Sequence, residues 1–156
     1  MYKFTIDRSE WLNGNVMLYY KEMYDDNIQS NLYNPDIERK CCLGILISPY
    51  FEDEYLENVE APLGTISRYT SKNSEFELYE KMKDIPEEVS CVFSYDISEA
   101  DYIPIKEHIP IVKELMRFND DTLLSKEHRE NLITKAFAKM DIEVEFVGEY
   151  NLEEIV

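Results

Sequence analysis

Glycine is scarce in this chain: Gly14, Gly44, Gly64 and Gly148 are the only four among 156 residues. They stand too far apart for a phosphate-cradling loop or a dinucleotide-binding turn, which bring several glycines together so that backbone amides can approach an anion. Basic residues are scarce as well, 16 Lys and Arg against 33 Asp and Glu, which leaves a net charge of −17. A surface of that sign repels phosphate backbones and anionic lipid, so no direct binding to DNA, RNA or membrane is expected. Only two histidines occur, His108 between prolines in a charged stretch and His128 near a helix start, and both read as surface residues rather than general bases. Three cysteines, Cys41, Cys42 and Cys91, match neither a redox CxxC nor a zinc spacing, and are expected as free buried thiols. No apolar run approaches the 18 or more residues of a membrane span. Residues 1–8 lack a basic stretch followed by an apolar one, so a cytoplasmic protein is expected.

Hydrophobic residues make up 44% and aromatics 13%, enough for a core without disulfides or metals, and the length suits a single domain over 1–156. Lys3 to Ile6 reads as a short strand, Asp7 as the cap of a helical turn, and Val16 to Tyr20 as an apolar run that fits strand or helix. Asn34-Pro35-Asp36 predicts a helix that runs through the apolar stretch to about Ser48. Ser48-Pro49 predicts a second, amphipathic helix ending at Pro62, with Phe51, Tyr55, Leu56 and Val59 on one side and acids on the other. Gly64 to Asn73 reads as a polar loop, Ser74 as the cap of a short helix to about Lys83, and the alternation from Val89 to Tyr95 as a strand. Asp96 to Pro110 is expected as loop, with helices from Pro110 and from Ser125, and a half-buried strand over Ile142 to Val147. The fold class expected is α+β: a single mixed domain of about five helices with a small, mainly antiparallel sheet, its terminal strands paired.

A search for catalytic constellations finds little. Asp36, Glu38 and Lys40 superficially supply the acids and lysine of a Mg²⁺-dependent nuclease, but they fall within five residues, whereas such a site draws its carboxylates from separate elements onto one ion. A metal-dependent nuclease is therefore the weakest alternative. No catalytic residue, metal ligand or cofactor is assigned.

Acid density is the feature left over. Glu52, Asp53, Glu54, Glu57 and Glu60 occur without one Lys or Arg between Pro49 and Glu60. On a helix they would space charges about 3.6 Å apart, close to the phosphate repeat of a DNA strand. A second group holds Glu75, Glu77 and Glu80, continuing to Asp84, Glu87 and Glu88. The segment after Lys139 forms a third. Aromatics interleave: Tyr50 beside the first group, Phe76 and Tyr79 in the second, and Tyr95 and Tyr102 around Asp96, Glu99 and Asp101. Carboxylates beside aromatic faces suit a Lys- and Arg-rich protein surface. The residues expected to bind a partner are thus Tyr50, Glu52, Asp53, Glu54, Glu57, Glu60, Glu75, Glu77, Glu80, Asp96, Glu99 and Asp101.

Phe4-Thr5-Ile6-Asp7-Arg8 with Trp11, then Lys40 to Gly44, Phe118-Asn119-Asp120, and Arg129 to Phe137 leading into Ile142 to Val147 resemble a group of small acidic proteins of bacteriophages and mobile elements. The likeness covers roughly a quarter of the chain, and in size, acidity and composition the sequence is similar to type II anti-CRISPR proteins. The resemblance implies a non-enzymatic inhibitor in the cytoplasm of a bacterial host. Its partner would be a basic type II CRISPR effector nuclease with its guide RNA, blocked at the nuclease domain or in a basic channel. The alternative partner is another basic host factor. The shared positions look like fold determinants, and no functional residue is transferred by the likeness.

Overall fold

The computed structural model describes residues 1–23, 30–93, 95–98, 101–104 and 108–152, with side chains for all of these except 22, 23, 95–98 and 101–104. Strand β1 (Tyr2–Asp7) pairs in parallel with β4 (Ile142–Val147), Tyr2 opposite Ile142 and Asp7 opposite Val147. Alternation sets both strands: Ile6, Ile142 and Val144 turn to the core while Lys3, Thr5, Glu143 and Glu145 are exposed. Asp7 ends β1 by accepting the Ser9 amide at 2.9 Å, which starts a 3₁₀ turn over Arg8–Glu10. Helix α1 (Gly14–Met23) is capped by Asn13, whose Oδ1 accepts the amides of Asn15 and Val16 at 3.0 and 3.2 Å. Then follow α2 (Cys42–Ile47), α3 (Pro62–Lys72), α4 (Glu75–Lys83), α5 (Glu87–Ser90), the antiparallel pair β2 (Tyr95–Ser98) and β3 (Asp101–Pro104), α6 (Ile109–Asp120) and α7 (Lys126–Ala138). Ser74 and Ser125 cap α4 and α7 by accepting the amides of Glu77 and His128, both at 3.1 Å.

The expected fold class needs correction. Seven α-helices rather than about five stand among the described residues, and the terminal strands form a sheet of two parallel strands; the antiparallel β2–β3 pair is a separate two-stranded sheet. Several elements differ for local reasons. Instead of a helix from Asn34, Asn34 Oδ1 accepts the Asp36 amide at 3.0 Å, Glu38 takes φ +53°, and Asn34 and Arg39 pair across the turn. The side chain thus offers the backbone a turn in place of a helix. No helix spans 49–60. Leu32 donates its amide to the Val59 carbonyl at 2.8 Å and Asn58 to that of Tyr33 at 2.9 Å, so long-range backbone pairing competes away all but a 3₁₀ turn at Asp53–Tyr55. The charge spacing computed for a helix there does not apply.

The expected loop at 64–73 is helix α3, begun by Pro62 and buried only through Pro62, Thr65 and Tyr69, a stripe too polar for its hydrophobicity to reveal. The expected strand from Val89 is α5 followed by a 3₁₀ turn at Cys91–Phe93, and burial of every residue from Val89 to Phe93 removes the meaning of the alternation. β2 and β3 lie where a loop was expected, and Val16 to Tyr20 is helical.

The main core gathers Ile6, Trp11, Leu43, Leu46, Phe51, Met82, Phe93, Leu115, Ile133 and Phe137, with Phe4 edge-on to Phe137 at 5.1 Å. Near its centre, Asn119, 1% exposed, accepts from Trp11 Nε1 at 2.8 Å and the Cys42 amide at 3.1 Å and donates to the Leu12 carbonyl at 2.9 Å. One carboxamide therefore ties the end of α6 to the segment leading into α1 and to the start of α2. Asn119→Ala leaves two buried donors without acceptors, at about 1–3 kcal/mol each. A loss of about 3 kcal/mol in urea unfolding is expected, and a loss under about 1 kcal/mol would contradict the role given to this group.

Candidate functional site

The acidic groups expected to bind a partner lie on different backbones. Glu52, Asp53, Glu54 and Glu60 are exposed and Glu57 half-buried, on an irregular segment rather than a helix face. Bases from elsewhere reach them. Lys40 pairs with Asp53 at 3.1 Å, Lys72 with Glu54 at 3.4 Å, and the Arg68 guanidinium donates to the Glu57 carbonyl. The interval free of Lys and Arg in sequence is thus partly neutralised in space. Tyr50 is half-buried, its hydroxyl 2.8 Å from that of Tyr2. Burial and that hydrogen bond push the Tyr2 phenol well above its ordinary value. Phe51 and Tyr55, expected on the apolar side of this segment, are buried, with Tyr69 packed against both.

The second group is presented by α4, α5 and the turn between them. Glu75, Glu77, Glu80, Asp84 and Glu87 are exposed and Glu88 half-buried. Glu80 pairs with Lys83 at 3.2 Å, whereas Glu75, Glu77, Asp84, Glu87 and Glu88 make no ion pair among the described residues. Of the two lysines, Lys81 turns inward over the rings of Phe51 and Tyr69, 5.2 and 5.6 Å from their centroids, and Lys83 sits 4.3 Å from that of Tyr79. Phe76 is 70% exposed, the one aromatic side chain among the described residues that stands out into solvent. In the third group Asp141 faces the amino terminus at 3.4 Å and Glu143 faces Lys3 at 3.3 Å. Glu99 lies outside the described residues, and Asp96 and Asp101 are placed only by backbone, as members of β2 and β3.

Two arginines were missed as structural residues. Arg129 is fully buried and donates to the carbonyls of Phe118 and Asn119 and to Asn15 Oδ1; Arg39, 3% exposed, donates to the carbonyls of Arg8, Trp11 and Tyr150. For Arg129 a signal existed, because it sits one turn before Ile133 on the apolar stripe of α7. The Asp36 and Glu38 carboxylates are exposed while Lys40 serves Asp53, so the nuclease-like trio does not converge. No group of three or more His, Cys, Asp or Glu suited to a metal ion occurs among the described residues. Nor is any helix among them long and apolar enough to cross a membrane. Burial pushes the Cys41 thiol up to about 12 and raises that of Cys42. Both are therefore protonated and unreactive at neutral pH.

Comparison with protein-family models, with curated proteins and with solved structures returns no match.

Two outcomes are expected. Alkylation of Cys41 and Cys42 at pH 8 proceeds only as fast as the protein unfolds, and rapid labelling of the native protein would contradict their burial. Because uncompensated acids repel one another across the surface, added NaCl between about 20 and 200 mM raises the thermal midpoint by a few degrees. A falling midpoint would show that the ion pairs outweigh the repulsion.

Proposed function

We propose that this protein acts by binding rather than by catalysis: its acidic surface grips a cationic protein. The observation that carries this reading is how the bases are used. Arg39 and Arg129 are buried on carbonyls and so withdrawn from the surface, whereas Arg8, Lys40 and Lys72 each offset one acid, Glu130, Asp53 and Glu54 in turn. The surface is left more one-sided than the net charge of −17 conveys. Such a surface carries self-repulsion that a cationic partner relieves on docking, and it speeds encounter with that partner.

The likeness to anti-CRISPR proteins suggests which partner this is: a type II CRISPR effector nuclease with its guide RNA, in the cytoplasm of a bacterial host. Such effectors hold nucleic acid in positively charged channels and move a nuclease domain before cutting. A bound acidic protein blocks cleavage stoichiometrically, by holding that domain or by filling a channel. Docking on a protein surface suits the molecule better than imitation of DNA, since the acids sit on separate helices and turns with no regular spacing. The test is a cleavage assay with purified effector, guide and target DNA, titrated with this protein. Cleavage is expected to stop near one protein per effector, and to stop equally well with Asp36→Ala. Undiminished cleavage at tenfold excess would refute the effector as partner.

A further inference from the structure

Resting on the reading of an acidic surface that grips a cationic protein, we infer that the contact is centred on the outer face of α4 and that Phe76 is its anchor. Leu78 and Met82 are the buried residues of α4, and at 100° per residue Phe76 and Glu80 fall on the opposite pole, one turn apart, with Glu77 beside them. Lys83 lies on the same side, paired with Glu80 at 3.2 Å, so the face is an aromatic ring among carboxylates and one lysine on a nine-residue helix. That helix is fixed from beneath by its buried residues and at its start by the Ser74 cap.

A ring exposed to this degree gains nothing for folding. Truncation of such a side chain is expected to be close to neutral for stability, as for surface positions in general. The other two acidic groups lack an exposed ring: the aromatics next to Glu52–Glu60 are buried or half-buried, and so are Phe146 and Tyr150 beside the third group.

Charge decides the occupant. A second copy would set Glu75, Glu77 and Glu80 against acids of its own net charge of −17, and nucleic acid or anionic lipid would add phosphates to carboxylates. What fits is a protein segment with an apolar socket ringed by Lys or Arg. There the ring enters the socket, is desolvated and supplies affinity, while the carboxylates meet the rim and supply orientation and association rate.

The probe is a synthetic amphipathic helical peptide with one Leu face and one Lys face, compared with an all-Lys peptide of equal charge, both titrated into isotopically labelled protein and followed by amide shifts and affinity. For the Leu/Lys peptide, shifts are expected to concentrate on residues 74–84. Phe76→Ala is expected to weaken that peptide about tenfold, as for an anchor side chain, and the all-Lys peptide hardly at all. Glu77→Gln with Glu80→Gln weakens both. The inference is overturned by an unchanged affinity in Phe76→Ala, by shifts spread evenly over all three acidic groups, or by no binding of the Leu/Lys peptide at low salt. This outcome is independent of the effector assay: a protein that fails to inhibit the nuclease can still show the anchored face, and one that inhibits can lack it.

Discussion

The fold turns on a buried polar joint. Asn119, the penultimate residue of α6, uses its carboxamide to hold Trp11, Leu12 and Cys42, while Arg129 beneath it holds the Asn119 carbonyl at 3.1 Å and the Asn15 side chain at 2.9 Å. Three regions far apart in sequence meet there: the approach to α1, the start of α2, and the end of α6 with the first turns of α7. Gly14 permits the closeness, since a Cβ at that position would stand 2.4 Å from the Asp121 carbonyl oxygen. Gly44 does the same for α2 against Leu32, where a Cβ would come within 1.8 Å of the carbonyl oxygen. Two of only four glycines are thus committed to letting backbones touch around this joint.

The joint has an electrostatic consequence. A buried guanidinium satisfied by carbonyl oxygens is stable because nearly every donor it brings inside finds an acceptor. Its positive charge, however, is withdrawn from the surface, where it could have balanced a carboxylate. Arg39 repeats the arrangement against the carbonyls of Arg8, Trp11 and Tyr150. Two of the 16 basic side chains thus close the chain's own backbone, and acids such as Glu75, Glu77, Asp84 and Glu87 face water without an ion pair among the described residues. Asp120 shows the cost of bringing acids in: burial raises its pKa despite hydrogen bonds from Asn119 and Ser30. Among the described residues no aspartate or glutamate is fully buried.

Local chemistry made some of this legible in the sequence. The Ser74 and Ser125 caps, the Asp7 turn, the apolar stripe of α7 and the alternation of β1 and β4 all act within a few residues, and the structure realises them. At 49–60 and in the terminal sheet a distant partner had taken over. The segment 49–60 carries a helical pattern, yet pairs its backbone with Leu32 and Tyr33, and the parallel pairing of β1 with β4 depends on how some 135 intervening residues cross over. The acidic groups were visible as composition. The pairing of Asp53 with Lys40 and of Glu54 with Lys72 was not, because those bases come from other parts of the chain. Phe51 fell on the apolar side of its expected helix and is buried against Tyr69 of α3, whereas the exposure of Phe76 follows from packing that no local pattern marked.

The central claim is that the uncompensated acids exist to meet a cationic protein. The most direct measurement is the association rate constant of this protein with the purified effector–guide complex as a function of ionic strength. Electrostatic steering requires the rate to fall steeply, by about tenfold or more between 50 and 300 mM salt, with a much smaller change in dissociation. An association rate indifferent to salt would contradict the account.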